Sequence, residues 1–387
     1  MSSERGQDTV EWAGLLVLVA LIIGALFLSH TPQAIAHGVS CAVTKAFGGS
    51  GNCSSGTAGP APVSGAPWDS SDPVARATWG GYVSLGDSYS AGEGLGDYEP
   101  GSSVHQSQCR VSVLGHCIYH KDPKVIDGCD RSADAYNGTV SNQYTFKDGK
   151  QTWACSGSIT KDIFDPGDPT CSAGHASGHY GEGCQADRVG PDTSLITMSI
   201  GGNDAGFADD LKNCYENRFK LHWSKSCSYE GPDINSKIAG IPANLTADLQ
   251  ALRARSPHAR IIIMTYPKLF PDPPTGNAAC VTFVHVCLTP SDQQFFNQEA
   301  VRLDDTICAA VQSAGVGAEC ITASGAFTGC EIGQADSCLQ SPASHISGST
   351  GLGINPGAFH PTDRGQQILG QLVNQEIQKP PPGRGGP

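Results

Sequence analysis

The chain has 387 residues and a formal net charge of −13, and only 16% of its residues are charged. This length is enough to bury a large core in one domain or two. The negative charge argues against a nucleic-acid partner, because contact with a phosphate backbone requires clustered lysine and arginine.

The 16 cysteines indicate where the chain folds. They fall in pairs separated by short loops, and the C-x-x-C spacing of a zinc site does not occur in the sequence. Disulfides persist in compartments outside the cytoplasm. We therefore expect the folded part of the chain to be exported and disulfide-bonded.

The N-terminal 36 residues are predicted to be a signal peptide or a membrane anchor. Residues 12–28 are almost all apolar and lie at the lower length limit for spanning a bilayer. An A-x-A site ends at Ala36, and cleavage there would release a chain beginning at His37. Without cleavage, the apolar segment would keep the protein in contact with the membrane.

Acidic residues before this apolar run favour a different signal. The stretch from Gly6 to Glu11 resembles the start of type IV prepilins, which are cut after the glycine and keep a glutamate at the fifth mature position. The sequence leaves three outcomes open: cleavage after Gly6, cleavage after Ala36, or no cleavage.

Composition divides the rest of the chain. Residues 37–74 are rich in Gly, Ser and Pro and hold almost no large apolar side chain, which is typical of a flexible linker. A folded domain is predicted over 75–379. Residues 380–387 consist of Pro, Gly and one Arg, and we expect a disordered tail.

Strand and helix patterns alternate within the folded domain. Apolar strand signals cover 82–85, 195–200 and 261–265, with weaker ones at 151–154 and 316–321. Residues 261–264 are apolar without alternation, as in a strand covered on both faces. Helical periodicity follows in three places: 245–252, 296–310 after a capping box at Ser291, and the segment after Thr362. These patterns predict an α/β fold, a three-layer α/β/α sandwich with a parallel sheet.

Polar residues follow three of the predicted strands. Ser88 ends a Gly-Asp-Ser turn after the first strand, Gly157 follows the segment 151–154, and Asn203 follows 195–200. Active sites of such sheets lie at the carboxyl ends of the strands. We therefore expect these three residues to lie at one edge of the sheet.

These residues, followed by His360 near the C-terminus, resemble the block pattern of the SGNH (GDSL) hydrolases. The strings LGDSYS at 85–90 and IGGNDAGF at 200–207 are similar to the secreted actinobacterial lipases and esterases of that family. The resemblance implies a flavodoxin-like sheet and a serine ester hydrolase that forms an acyl-enzyme with no metal or organic cofactor. It also implies a lipid or small acyl-ester substrate.

The resemblance gives each block a role. Ser88 would be the nucleophile and His360 its general base. The N–H groups of Ser88 and Gly157 and the side-chain amide of Asn203 would form the oxyanion hole.

One position departs from the family pattern. Much of the family has an aspartate three residues before the histidine, and here that residue is Gly357. The relatives without this acid imply a Ser-His dyad oriented by a main-chain carbonyl, of Gly357 or Ala358. Asp87 and Asp204 are predicted to brace their loops through hydrogen bonds.

The resemblance also implies two disulfides, Cys129 with Cys155 and Cys214 with Cys227. Closeness in sequence favours Cys109 with Cys117 and Cys171 with Cys184, while Cys41 and Cys53 are a further candidate pair. The acidic and histidine residues within 162–184 lack the spacing of an EF-hand, so we interpret that segment as a glycine-rich insertion.

Two alternative functions stay open beside the lipase-like one. A carbohydrate O-acetylesterase would use the same residues to remove acetyl groups from sugars. A pilus-like surface structural protein could instead carry the hydrolase fold as a passenger.

Overall fold

The structure is a computed structural model, and it describes ten stretches of the chain. These are residues 66–102, 108–113, 116–121, 128–168, 170–171, 183–220, 226–274, 276–281, 286–341 and 357–382. The predicted N-terminal segment 1–36 and most of the predicted linker 37–74 lie outside these residues.

Nine strands and eight α-helices lie in the described residues. The strands are β1 (Gly81–Gly86), β2 (Gln108–Val113), β3 (His116–Lys121), β4 (Lys150–Thr152), β5 (Thr193–Ser199), β6 (Arg260–Met264), β7 (Ala278–Val281), β8 (Val286–Leu288) and β9 (Glu319–Ile321). The helices are α1 (Pro73–Thr78), α2 (Ser88–Ala91), α3 (Tyr136–Gln143), α4 (Thr160–Ile163), α5 (Phe207–Lys220), α6 (Gly231–Arg255), α7 (Pro290–Ser313) and α8 (Asp363–Ile377).

Five of the strands form one parallel sheet in the order β4-β1-β5-β6-β9. Counted along the chain among these five, the order is 2-1-3-4-5, which is the flavodoxin-like order. The predicted fold class, a parallel α/β sheet between helices, is confirmed.

Side chains of the central strands alternate between two apolar cores. On β6, Ile262 and Met264 belong to one core, whereas Ile261 and Ile263 belong to the other. All five residues of this strand are buried. The absence of an apolar-polar alternation in the sequence therefore reflects burial on both faces of the sheet.

Helices cover both faces. One core contains Tyr136 and Val140 of α3 with Leu369 and Val373 of α8. The other core contains residues of α6 and α7, which also pack against each other. The molecule therefore has the three layers that the sequence predicts.

The start of α7 differs from the prediction by two residues. Thr289 is the N-cap, and its backbone N–H donates to the carboxylate of Asp292 at 2.9 Å, which completes a capping box. Pro290 occupies the first helical position, where its missing N–H removes no helical hydrogen bond. Ser291 therefore lies inside the helix and does not cap it.

The described structure includes residues before 75, the predicted start of the folded domain. Helix α1 starts at Pro73, and the ring of Trp68 stacks on His258 with 4.2 Å between ring centroids. No helix within the described residues is long and apolar enough to cross a membrane. The apolar segment 12–28 and residues 383–387 of the predicted tail lie outside those residues.

Two antiparallel hairpins, β2–β3 and β7–β8, lie outside the central sheet. Neither hairpin was predicted from the sequence. In the first hairpin, Cys109 lies opposite His120 and Cys117 opposite Ser112. For Cys109 and Cys117 only the backbone is described, so the predicted bond between them stays a prediction. The Cys41–Cys53 pair lies outside the described residues.

Six disulfides lie in the described part of the chain. They join Cys129–Cys155, Cys171–Cys184, Cys214–Cys227, Cys280–Cys287, Cys308–Cys320 and Cys330–Cys338. Three of these pairs are ones that the sequence analysis names.

Candidate active site

The turn that carries Ser88 joins β1 to α2. Gly86 has φ of 114°, and a Cβ at this position would lie 2.2 Å from the carbonyl oxygen of Ser199. Only glycine fits this approach of two neighbouring strands. Asp87 caps the short helix by accepting the N–H of Tyr89 at 3.1 Å. The turn therefore holds Ser88 at the carboxyl end of β1.

The structure brings Ser88 and His360 together across 272 residues of sequence. Nε2 of His360 lies 2.8 Å from Oγ of Ser88, and Nδ1 lies 3.1 Å from the carbonyl oxygen of Ala358. A carbonyl only accepts, so Nδ1 carries the proton and Nε2 is the acceptor for the serine hydroxyl. The Gly357 carbonyl instead accepts the backbone N–H of His360 at 3.1 Å.

Main-chain hydrogen bonds hold the segment around His360. The N–H of Phe359 donates to the carbonyl of Gln340 at 2.8 Å, and the N–H of Gln340 donates to the carbonyl of His360 at 2.8 Å. Phe359 has φ of 67°, a left-handed conformation that is uncommon for a non-glycine residue. The hydroxyl of Tyr89 donates to the Phe359 carbonyl at 2.8 Å and so joins α2 to this segment.

No acid stands where much of the family has one, and the packing leaves no room for it. A Cβ on Gly357 would lie 2.7 Å from the Cα of Gly94 and 2.8 Å from Oε1 of Gln340. Gly94 itself has φ of 90°, and a Cβ there would lie 2.2 Å from Nε2 of Gln340. The loop that follows α2 thus occupies the space of a side chain at position 357.

Gly157 lies in a tight turn after β4. Its φ is 82°, and the N–H of Cys155 donates to the carbonyl of Gly86 at 2.9 Å. The N–H of Ser156 donates to the carbonyl of Cys129 at 3.0 Å, beside the Cys129–Cys155 disulfide. This turn is thereby fixed next to the Gly86–Ser88 turn.

Asn203 connects the loops after β4 and β5. Its side-chain amide donates to the carbonyl of Ser158 at 2.9 Å. An amide nitrogen carries two N–H groups, so one remains for a substrate oxygen. Asp204 accepts the backbone N–H of Thr160 at 2.9 Å and also its hydroxyl, and burial raises the pKa of this carboxyl. Asp204 therefore braces these loops.

A buried polar network lies beneath the turn that carries Ser88. Asp87 accepts hydrogen bonds from the hydroxyls of Tyr266 and Ser199, the latter at 2.9 Å. The Tyr266 hydroxyl in turn accepts the N–H of Gly202 at 3.0 Å. Burial raises the pKa of Asp87 to about 6, and its hydrogen bonds act in the opposite direction. Desolvation and the nearby Asp87 charge hold the pKa of Tyr266 well above its usual range.

Three further residues shape the site and were not predicted from the sequence. The buried side chain of Gln185 binds Gly86 twice, accepting its N–H at 2.7 Å and donating to its carbonyl at 2.9 Å. Tyr266 joins the Asp87 turn to the loop that contains Asn203. Glu93 reaches the His360 imidazole, with Oε2 3.5 Å from Nε2. None of the three belongs to a motif with a fixed spacing, so only the fold reveals them.

The described residues contain one cluster with metal-ligand types, formed by Cys214, Cys227 and Asp292. The two sulfurs are bonded to each other as a disulfide and are not thiolates. The carboxylate of Asp292 caps α7, as described above. The cluster is therefore structural.

A cavity of about 360 Å³ opens beside Asn203, between α4 and α6. Its lining is mixed in polarity and consists of Ile159, Lys161, Asn203, Asp204, Lys237, Gly240, Ile241 and Asn244. A group bound to the amide of Asn203 would have space there for an adjoining part of the same molecule.

The model of the family described as GDSL-like Lipase/Acylhydrolase matches residues 84–368. A lipase from Streptomyces rimosus is 27% identical over 190 residues, which cover 49% of this chain and 53% of the relative. Lipase 1 of Streptomyces coelicolor is 27% identical over 191 residues, again 53% of its length. The chain thus matches about half the length of these curated relatives.

Solved structures have the same fold. Phospholipase A1 from Streptomyces albidoflavus NA297 is 25% identical, with a TM-score of 0.56 over 77% of this chain and 99% of that one. An extracellular lipase from Streptomyces rimosus is 22% identical, with a TM-score of 0.53 over 76% and 99% of the two chains.

Proposed function

Because this chain belongs to the GDSL-like lipase/acylhydrolase family, we propose that it is an exported serine hydrolase of carboxylic esters. The observation that carries the proposal is the 2.8 Å contact between Oγ of Ser88 and Nε2 of His360 at the carboxyl end of β1. A serine hydroxyl becomes a useful nucleophile at neutral pH when a base in hydrogen-bond contact accepts its proton.

Acylation uses the Ser88-His360 dyad. Oγ of Ser88 bonds to the ester carbon while its proton moves to Nε2 of His360, and the carbonyl π electrons move to oxygen. The carbonyl of Ala358, 3.1 Å from Nδ1, keeps the imidazole in the tautomer that this transfer requires. The imidazolium then gives its proton to the departing alkoxide, which leaves an acyl-enzyme on Ser88.

The tetrahedral intermediate needs donors that are already in place. In our proposal these are the N–H groups of Ser88 and Gly157 and the amide of Asn203, each worth about 3 to 4 kcal/mol. The hydrogen bond from Asn203 to Ser158 and the tight turn at Gly157 support this role. Water attacks the acyl-enzyme by the reverse sequence of proton transfers and releases the carboxylic acid.

Export is supported by the cysteines. Six disulfides in the described residues are stable only in an oxidising compartment. One relative with the same fold is an extracellular lipase. Whether residues 12–28 leave the mature protein anchored is a separate question, answered by sequencing its N-terminus.

The favoured substrate is a lipid or acyl-glycerol ester, as in the lipases and the phospholipase that this chain resembles. One observation supports the carbohydrate O-acetylesterase as a second candidate. The cavity beside Asn203 is lined by Lys161, Asp204, Lys237 and Asn244, and such side chains suit a hydrophilic group.

The test is hydrolysis of p-nitrophenyl esters from acetyl to palmitoyl by the purified, disulfide-bonded chain, beside Ser88→Ala. We expect Ser88→Ala to lower kcat by at least about 10⁴-fold, as for other serine hydrolases. Fastest hydrolysis of the long-chain esters would favour the lipase. Fastest hydrolysis of the acetyl ester would favour the O-acetylesterase. A folded wild type without Ser88-dependent turnover on any chain length or on acetylated sugars would refute the proposal.

A further inference from the structure

The proposed Ser88-His360 dyad lacks the negative charge that the carboxylate of a triad supplies. When His360 accepts the serine proton it becomes a cation, and the Ala358 carbonyl beside Nδ1 supplies orientation without a negative charge. In a triad, a carboxylate stabilises this imidazolium. Position 357 has no side chain, and Gly94 and Gln340 occupy the space that one would need.

Glu93 brings a carboxylate to the other side of the same imidazole. Helix α2 ends at Gly92 in a left-handed conformation, and the N–H of Glu93 donates to the carbonyl of Ser88 at 3.1 Å. Oε2 of Glu93 then lies 3.5 Å from Nε2 of His360. The Glu93 side chain is 14% exposed and the His360 side chain 15%, so water screens the pair only in part.

Neighbouring groups hold Glu93 in this position. The hydroxyl of Ser156 donates to the same Oε2 atom, from the turn that contains Gly157. The N–H of Gly94 donates to the hydroxyl of Tyr98 at 2.7 Å, which fixes the loop behind the carboxylate. The loop that leaves no room for an acid at position 357 is therefore the loop that carries Glu93.

We propose that Glu93 supplies the negative charge that stabilises the His360 imidazolium, as an electrostatic partner of the base on its Nε2 side. The inference rests on the proposed function. As the Oγ–carbon bond forms and the proton reaches Nε2, the new cation lies beside the carboxylate. Glu93 itself neither gives nor takes a proton in this step.

Other ionisable groups face the same pair. Asp87 interacts electrostatically with His360 from beneath the turn, and the ring of Tyr89 lies 5.5 Å from the imidazole. Tyr98 faces Glu93, and burial raises the pKa of this tyrosine to about 12, so it stays neutral. Because the pKa of Asp87 is about 6, the acid limb of the wild-type rate profile can contain two ionisations. A comparison of variants that leave Asp87 unchanged separates them.

The test compares wild type, Glu93→Gln and Glu99→Gln. Glutamine keeps the shape of Glu93 and an acceptor for Ser156, and removes the charge. Glu99 is exposed and lies six residues along the same loop, so Glu99→Gln is the matched control. For Glu93→Gln we expect kcat to fall about tenfold and the acid limb of kcat/KM to move about one pH unit lower. Glu93→Asp should recover part of both effects, and Glu99→Gln should change neither.

A readout independent of turnover separates this inference from the proposed function. In an NMR titration of ¹⁵N-histidine-labelled protein, the His360 midpoint should move to lower pH in Glu93→Gln and stay unchanged in Glu99→Gln. This result stands even if no ester is hydrolysed. The inference is overturned if Glu93→Gln leaves both the His360 midpoint and the acid limb of kcat/KM unchanged, even if its kcat falls equally at every pH. A rise in kcat in Glu93→Gln would also overturn it.

Discussion

The two halves of the Ser88-His360 contact are held in different ways. On the Ser88 side, Gly86 packs closely against β5 and is bound twice by the buried Gln185, and Asp87 follows it in a buried network. On the histidine side, His360 lies in a loop that main-chain hydrogen bonds tie to Gln340. Ser88 is therefore positioned by the core of the sheet, and His360 by a contact between two loops.

This difference predicts two kinds of failure. A change on the Ser88 side should disturb the fold itself, because the same atoms join the strands of the sheet and position Ser88. A change on the histidine side should lower activity while the domain stays folded.

Replacement of Gly86 with alanine should destabilise the whole domain. The new Cβ would lie 2.2 Å from the Ser199 carbonyl, at a φ of 114° that side chains rarely adopt. We expect a loss of about 4 kcal/mol in the free energy of unfolding, measured by chemical denaturation. Gly96→Ala is the control, because Gly96 has φ of 82° and nothing within 4 Å, and it should cost only about 1 kcal/mol. Equal losses in the two variants would contradict the steric argument.

Asn203→Ala should act on the transition state. Loss of one oxyanion donor should lower kcat about 10²- to 10³-fold, about 3 to 4 kcal/mol, with little change in KM. Steady-state kinetics on a short p-nitrophenyl ester measures this. Asn244→Ala, in the lining of the same cavity, should retain kcat within about threefold. If both variants lose activity equally, Asn203 acts through cavity shape alone.

The buried Asp87 should make the stability of the Ser88 side sensitive to pH. Its pKa is raised to about 6 in the folded protein, so between pH 4 and pH 6 the unfolded chain releases this proton while the folded protein keeps it. The contribution of Asp87 to stability therefore falls as pH rises through this window, by about 2 kcal/mol. Relative to Asp87→Asn, the wild type should lose this amount between pH 4 and pH 7 in urea unfolding. If the free energy of unfolding changed with pH equally in the two proteins, the pKa of Asp87 would not be raised by folding.

Gly357→Asp should fail to create a triad. A side chain at this position meets the Cα of Gly94 at 2.7 Å, so the loop must shift before a carboxylate could approach Nδ1 of His360. We expect kcat to fall about tenfold, about 1.4 kcal/mol, with a melting temperature close to that of the wild type. A gain in kcat would show that the loop yields and that position 357 accepts an acid.

Much of the fold could be predicted from the sequence. The central strands β1, β5 and β6 are apolar runs, and α8 follows a threonine that caps it. The edge strands β4 and β9 were harder, because each has only three residues and too little pattern. The β7–β8 hairpin was missed for a similar reason, since its strands have four and three residues. Shortness does not explain the missed β2–β3 hairpin, whose strands have six residues each.

The site was predictable where a block of sequence sets its own geometry. The Gly86–Ser88 turn and the loop of Gly201 to Asn203 are local, and they resemble family motifs. Gln185, Tyr266 and Glu93 act through contacts between distant segments, such as the 179-residue separation between Tyr266 and Asp87. A glutamate in a glycine-rich loop gives no signal that it will meet a histidine far along the chain.

The disulfide connectivity has a consequence for how the chain matures. Among the twelve cysteines of these six bonds, each first cysteine bonds with the next along the chain, over separations of 7 to 26 residues. A polypeptide that emerges N-terminus first can therefore close each of these bonds as soon as the second cysteine appears, without waiting for a distant partner. Vectorial oxidation in order of emergence would give the native pairs, and an isomerase would have little to correct.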